Sequence, residues 1–589
     1  MNFSFQKHAY FYLSLFLIFA GGALAAFVQT NAGSIAIRDV RFTSASGAIM
    51  SGLLYVPEAV SAQQPGPGVL AVHGYINSRE TQSPYAIELS RRGYVVLAMD
   101  QRGHGYSAPP AFAEGFGGPA GLQYLRGLDI VDPDQVVLAG HSMGGWTVLS
   151  AAVQMPDAYQ SIVVSGSSTG TFGVPAGDSR FPRNFGLVFG QYDEFSGSMW
   201  ASPTGVGIVD TEKLQTQFGV TSPVQADRLY GSIAAGTARQ LYQPAQTHPA
   251  NHISRSGIAA AVDWVQKTSN TPSAIEPRDQ VWQWKEFGTL ISLCGAILFL
   301  LTAGRMLLEI PLFADLRNKP ATAAGIRDQS WWLAALLLLA IPALTYFPLQ
   351  GLAASITTSA IWAQNLTNGF VLWAVGNALI SGLLLLLWHY LLGGKAKGGN
   401  RSAYGITTLG GFSARQIYLS LLFGAAVVTG LYVALAINHW LFTADFRFWV
   451  IAIKVMSPLQ LRLFLSYVLP FTFFFYVFAI VLHGQMRDSN TRPEWKSAMI
   501  NAGLAGGGIA LLLLYQYGSL FLTGSLAIPA QALLTIVAMQ FVVVLPIAGL
   551  ISTRYFSTTG LILPGAIVNG CFVTWLIVAG QATHFAFIG

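Results

Sequence analysis

Two hydrophobic patterns divide the chain. Between residues 31 and 266, short apolar runs alternate with amphipathic stretches, and Gly, Pro or Asp marks most of the breaks. The runs at 67–75, 93–103, 135–142, 161–167 and 184–193 are nearly continuous in apolar residues. Such runs suit strands buried on both faces of a parallel sheet. Helical stretches lie between them, at 83–93 and 118–128 for example. Strands alternating with helices predict a mostly parallel sheet with helices on both faces. Elsewhere the apolar runs are much longer. They fall near 10–28, 287–308, 331–350, 370–393, 416–437, 463–483, 498–516, 531–552 and 560–582. About 20 apolar residues cross the ~30 Å hydrocarbon core of a bilayer, so these runs predict an all-α bundle of about nine transmembrane helices in total. The first run could pass for a signal peptide, with Ala23-Leu24-Ala25 as a cleavage site. It is longer than an ordinary signal core, which favours an uncleaved anchor. The organisation read from the pattern is an anchor (1–30), an α/β domain (31–266), a polar linker (267–285) and an eight-span domain (286–589).

Composition agrees. Of 589 residues, 53% are hydrophobic and 10% are charged, against roughly 25% charged in soluble domains. A wholly soluble enzyme, a disordered chain and a fibrous repeat are excluded. The formal net charge of +6 splits into −3 for residues 1–279 and +9 for 280–589. The basic excess sits in alternate loops: Arg317, Lys319 and Arg327; Lys395, Lys397, Arg401 and Arg415; Arg487, Arg492 and Lys496; then Arg554. Loops 351–369 and 517–530 carry no charge, and loop 438–462 breaks the alternation with Arg447, Lys454 and Arg462. This is the positive-inside pattern of a multi-pass membrane protein. It puts the N-terminus in the cytoplasm and the α/β domain outside it. The basic charge therefore reports topology. The partner it implies is the lipid bilayer, not nucleic acid. Cys294 and Cys571 both lie in apolar runs, which leaves no disulfide framework. His439, His483 and His584 lack ligand spacing, and no metal or cofactor is expected. After Asp328 the only carboxylates are Asp445, Asp488 and Glu494, which argues against an ion-coupled transporter.

The chemistry concentrates in the α/β domain. Gly140-His141-Ser142-Met143-Gly144-Gly145 stands between a strand (VVLA) and a helix (WTVLSAAVQ). This is the setting of a G-x-S-x-G nucleophile elbow, in which small residues allow a sharp turn that lifts a serine hydroxyl above the sheet. His73-Gly74-Tyr75 ends an earlier strand, and Asp100-Gln101-Arg102-Gly103-His104-Gly105-Tyr106-Ser107 ends the next.

In this order, HGY, DQRGHGYS and GHSMGG resemble the α/β-hydrolase superfamily, in its lipase, esterase and dienelactone-hydrolase-like branch, over about residues 35–268. The resemblance implies the catalytic order Ser…Asp…His and an oxyanion hole built from the Tyr75 and Met143 N–H groups. Asp100 and His104 match a fold-stabilising turn of that family. Asp193, at the end of the run 184–193, is the expected acid. Asp178 competes from a loop with no strand before it, and Glu194 is expected to point elsewhere. His252 is the expected base because it lies closer than His248 to the helix beginning near Ser256. Ser142, Asp193 and His252 would then cleave an ester through an acyl-enzyme. The expected substrate is a hydrophobic or lipid-derived ester or acyl group, presented where insertion 195–240 and the membrane spans form a wall. A peptidase or acyltransferase of the same fold, and a transporter or scaffold with a hydrolase-like binding module, are the alternatives.

Overall fold

The structure, a computed structural model, describes residues 8–269, 273–325, 327–487 and 493–587. Asp488, Arg492 and linker residues 270–272 lie outside the described residues.

The strands are β1 (Ile35–Thr43), β2 (Ile49–Pro57), β3 (Gly66–Val72), β4 (Val95–Asp100), β5 (Val131–His141), β6 (Ser161–Ser165), β7 (Phe185–Val188), β8 (Leu229–Tyr230) and β9 (Arg239–Tyr242). They form one sheet in the order β1-β2-β4-β3-β5-β6-β7-β9-β8. From β4 to β9 the pairing is parallel. β1 and β2 are antiparallel, and β8 closes the far edge antiparallel to β9. The helices of this part are α2 (Ser83–Ser90), α3 (Gly118–Arg126), α4 (Met143–Gln154), α5 (Ser196–Trp200), α6 (Glu212–Phe218) and α7 (Arg255–Thr268), and α1 (Ala9–Gln29) precedes it.

Strand alternation divides the core. Leu70 and Val72 of β3 pack with Leu122 of α3 and Leu149 of α4 on one face. Val69 and Ala71 pack with Ile87 of α2 and Ile258 and Trp264 of α7 on the other. Both faces are apolar because both are covered, which is why these runs show no polar alternation. Register then fixes the site. Val72 lies beside Gly140, and His141 beside Ser165. The carboxyl ends of β3, β5 and β6 therefore bring residues 73–75, 142 and 166 to one edge of the sheet, where ligands of open α/β sheets bind.

The remaining helices are α8 (Trp282–Leu307), α9 (Gln329–Ala353), α10 (Asn365–Leu391), α11 (Ala414–Phe442), α12 (Pro458–Ile480), α13 (Glu494–Thr523), α14 (Ala532–Thr559) and α15 (Leu563–Gly580). With α1, nine helices among the described residues are long and apolar enough to cross a membrane, one for each apolar run of the sequence. Loop 438–462 contains a short antiparallel hairpin that pairs Phe446–Phe448 with Ile451–Ile453. Its Asp445 carboxylate accepts from the Arg447 guanidinium at 2.7 Å. Glu494 pairs with Arg554 at 3.0 Å.

The chain divides into two compact units. One contains Ala23–Gly288, Tyr515–Ala532 and the segment from Gly580 onward; the other contains the start of α1, Thr289–Leu514 and Leu533–Ala579. The last turns of α13 thus belong with the sheet. The sequence pattern had ended that helix near residue 516, yet it runs to Thr523.

Candidate active site

Ser142 is the single residue between β5 and α4, with φ 53° and ψ −121°. A non-glycine residue held there carries strain of about 1–3 kcal/mol, which the surrounding packing must impose. Here the glycines do so. A Cβ on Gly140 would strike the main chain of Gly144. One on Gly144 would strike the Val72 and His73 carbonyls, and one on Gly145 the Ser167 side chain. Without side chains, the first turn of α4 closes directly onto β3 and β6. The Ser142 N–H donates to the Ser165 carbonyl at 2.9 Å, and the Ser142 carbonyl accepts from Gly145 N–H at 2.8 Å.

The turn after β3 abuts the serine. A Cβ on Gly74 would lie 3.1 Å from Ser142 Cβ and 2.9 Å from His141 Nδ1. Tyr75 follows on this turn. Met143 opens α4, where first-turn N–H groups have no intrahelical acceptor. Met143 directly follows Ser142, and Tyr75 directly follows Gly74 on the turn that abuts it. His73 and Asp100 serve the scaffold. His73 Nε2 accepts from Gln101 N–H at 3.1 Å. The Asp100 carboxylate accepts from Arg79 N–H at 2.8 Å and Tyr106 N–H at 3.0 Å. Burial, then the neighbouring His73, holds His104 down to about 3.

Asp193 follows β7 and is buried. The ring that meets it belongs to His248, whose Nδ1 lies 3.0 Å from Asp193 Oδ2 and 3.1 Å from Oδ1. This corrects the expectation of His252 as the partner of Asp193. Pro249–His252 is a single 3-10 turn. The Asn251 side chain donates back to the His248 carbonyl at 2.8 Å, and the turn carries the His252 ring to within 4.2 Å of the His141 ring. Nearness to the next helix was the wrong criterion, because the turn itself decides which ring faces β7. Asp178 is not placed against a histidine. Its Oδ1 accepts from the N–H groups of Arg180 and Phe181 in its own loop.

Two further residues complete the pair. Gly166, with φ 54°, follows β6; a Cβ there would lie 2.9 Å from His248 Nδ1 and 3.1 Å from Asp193 Oδ2. Only a glycine leaves room for the pair at this strand end. Its sequence signal is the glycine closing the apolar run SIVVSGS. Glu194 does not point elsewhere: its Oε2 accepts from the His248 N–H at 2.7 Å.

Burial works against the His248 imidazolium, but the charge and hydrogen bond of Asp193, with the charge of Glu194, outweigh it and hold His248 above the ordinary histidine value. Burial, and after it His252 and His248, drives His141 well below that value. The arrangement brings a strained serine, the turn that bears Tyr75, the first turn of α4 and a carboxylate-bound imidazole to one strand edge. Among the described residues no group of three or more His, Cys, Asp or Glu is placed to hold a metal ion.

Residues 67–191 match the family model of the alpha/beta hydrolase fold. Over 104 residues the chain is 32% identical to an epoxide hydrolase of Caballeronia sordidicola, covering 18% of this chain and 32% of that protein. Over 99 residues it is 33% identical to a 2-(acetamidomethylene)succinate hydrolase of Mesorhizobium japonicum, covering 17% and 34%. The chain thus spans about a third of the length of these two curated relatives. An esterase of Pyrococcus furiosus aligns at 16% identity and a TM-score of 0.29, over 41% of this chain and 95% of that structure. The sheet order, the turn at Ser142 and the family match agree: the chain contains a domain of the alpha/beta hydrolase fold, together with a set of long apolar helices.

Proposed function

We propose that this chain is a membrane-embedded serine hydrolase that cleaves hydrophobic carboxylic esters. The observation that carries the proposal is the Asp193–His248 pair, at 3.0 Å, on the same strand edge as the strained Ser142. In this reading the Ser142 hydroxyl attacks the ester carbonyl and His248 accepts its proton. Asp193 holds the imidazole tautomer and stabilises the imidazolium. The Tyr75 and Met143 N–H groups bind the oxyanion, an effect worth about 3–4 kcal/mol per donor. His248 then protonates the leaving alcohol, and water releases the acyl group from Ser142.

Two features support a hydrophobic substrate. Nine helices among the described residues are long and apolar enough to cross a membrane, which supports a bilayer setting and a lipid-soluble substrate. Aromatic side chains also gather near the oxyanion turn, with the Tyr75 and Phe112 rings 5.7 Å apart. Residues of the 195–240 insertion meet the 515–532 segment within the same unit, Thr204 lying against Gly524. The distribution of Lys and Arg supports an extracytoplasmic hydrolase domain.

Labelling of the full-length, detergent-purified protein with a fluorophosphonate probe tests the proposal. Wild type is expected to label and Ser142→Ala to stay unlabelled, with ester turnover rising along a series of longer acyl chains. A folded wild type that neither labels nor hydrolyses any ester of the series would overturn the proposal.

A further inference from the structure

Glu194 is a buried acid that acyl transfer at Ser142 does not use. It is 7% exposed, and its carboxylate is held at both ends. Oε2 accepts from the His248 N–H at 2.7 Å, and Oε1 accepts from the Tyr517 hydroxyl at 2.7 Å. Consecutive acids therefore hold one histidine, Asp193 at the ring and Glu194 at the main chain. A carboxylate can accept at both oxygens, whereas an amide of the same length accepts at one end and donates at the other. Burying that carboxylate is costly unless both oxygens are satisfied. Here both are.

Tyr517 comes from the last turns of α13, within the unit that contains the sheet. These turns and the residues after them hold the turn that bears the acids. Leu520, Leu526 and Ala532 pack with Tyr192, Phe195 and Tyr517. The Phe521 ring meets Tyr192 edge-on at 5.3 Å. Phe195 in turn sets its ring edge-on to the His248 imidazole at 4.6 Å. Residues 192–195 thus stand between the 515–532 segment and the histidine, with Glu194 as the polar link.

We propose that Glu194 and Tyr517 are positioning residues for the hydrolysis proposed above, fixing the main chain of His248 from the 515–532 segment while Asp193 fixes its ring. The inference rests on His248 being the general base. The groups facing Glu194 are Asp193, His248 and Tyr517. Those facing His248 are Asp193 and Glu194, with the His141 ring at 4.8 Å and His252 beyond it. Burial first, then the Asp193 charge, pushes the Glu194 carboxyl up to about 7, against the pull of His248 and the Tyr517 hydroxyl. The Glu194 charge in turn favours the imidazolium of His248. Removing it makes the base easier to deprotonate.

The test compares full-length wild type, Tyr517→Phe and Glu194→Gln in ester turnover as a function of pH, with thermal midpoints recorded alongside. Tyr517→Phe keeps the ring and its packing. It is expected to lower kcat about 5- to 20-fold with KM nearly unchanged. Glu194→Gln is expected to lower kcat further and to move the acid limb of kcat/KM to lower pH by about half a unit. An active wild type whose two variants keep its kcat and its acid limb overturns this inference and leaves the hydrolase reading standing. Variants that lose activity only in proportion to lost folded protein, with the limb unmoved, overturn it as well. A wild type that is folded but silent removes the hydrolase reading, and this inference with it.

Discussion

The hydroxyl of Tyr75 lies 3.0 Å from Nε2 of His584, which joins the turn after β3 to the segment following α15. Burial holds His584 down to about 4, so at neutral pH the ring is uncharged and Nε2 can accept from the phenol. Thr583 strengthens the junction: its N–H donates to the Gly103 carbonyl and its carbonyl accepts from Ala111 N–H, each at 2.8 Å. The Phe112 ring lies 5.2 Å from the His584 ring. Residues 583–584 are thereby stitched to loop 103–112 and to the residue whose N–H is the proposed oxyanion donor. Truncation after Ala582 should raise amide exchange across residues 103–112 and cut kcat/KM about 10-fold or more. His584→Ala, which removes the hydrogen bond to the Tyr75 hydroxyl, should cost about 3- to 10-fold. Unchanged exchange and turnover in the truncated protein would show that the segment merely rests on the loop.

The two histidines of the turn after β9 should separate cleanly in a mutational test. His248 carries the bond to Asp193, and His252 packs on His141. His248→Ala should reduce ester turnover by about 10³-fold or more and strongly slow fluorophosphonate labelling, because the proton acceptor is gone. His252→Ala removes a ring contact from a buried cluster. It should leave turnover within about 10-fold of wild type, with a stability loss of about 1–2 kcal/mol. The reverse ranking in steady-state kinetics would restore His252 as the base.

Strain at Ser142 predicts a trade between stability and activity. Its φ of 53° suits glycine, and alanine there suffers the same clash as serine. Ser142→Ala and Ser142→Gly both remove the nucleophile. Chemical denaturation should find the glycine variant about 1 kcal/mol more stable than the alanine variant. Equal stability would mean that the turn relaxes once the hydroxyl is gone.

The sequence made the sheet legible because its strands are apolar on both faces and end at marked turns, and the strand run before Ser142 ends where Gly140 demands close packing. The nine long apolar helices of the described residues were legible from length and apolarity alone. The base was not, since His248 and His252 lie on one short turn and only its three-dimensional path decides which ring reaches Asp193. Glu194 was misread for a related reason. Adjacent side chains need not point apart when the chain turns sharply, and Asp193 and Glu194 sit on such a turn after β7. Tyr517 and His584 lie far from the motif in sequence. Their signal was at best an aromatic, polar break at the end of an apolar run, a pattern that ordinary membrane helix ends also show.

The His248–Asp193 pair also sets a pH dependence. As the base, His248 must be neutral, so kcat/KM should rise with pH through an acid limb. Asp193 and Glu194 favour the imidazolium and hold His248 above the ordinary histidine value of 6.5. The limb should therefore lie on the alkaline side of that value, with activity falling as pH drops through it. Asp193→Asn removes the largest of the influences that oppose burial. Desolvation of the buried imidazolium then prevails, and the limb should move to the acid side of 6.5. Over the same range kcat should fall by about 10⁴-fold, because the amide no longer fixes the tautomer or stabilises the charge that forms on the ring. The two effects have opposite consequences at low pH. The variant should keep a larger share of its own maximum rate at pH 6 than wild type does, while remaining far slower in absolute terms. A limb that stays in place after the substitution would mean that the titrating group is not His248, and the pairing would then serve the fold instead of the reaction.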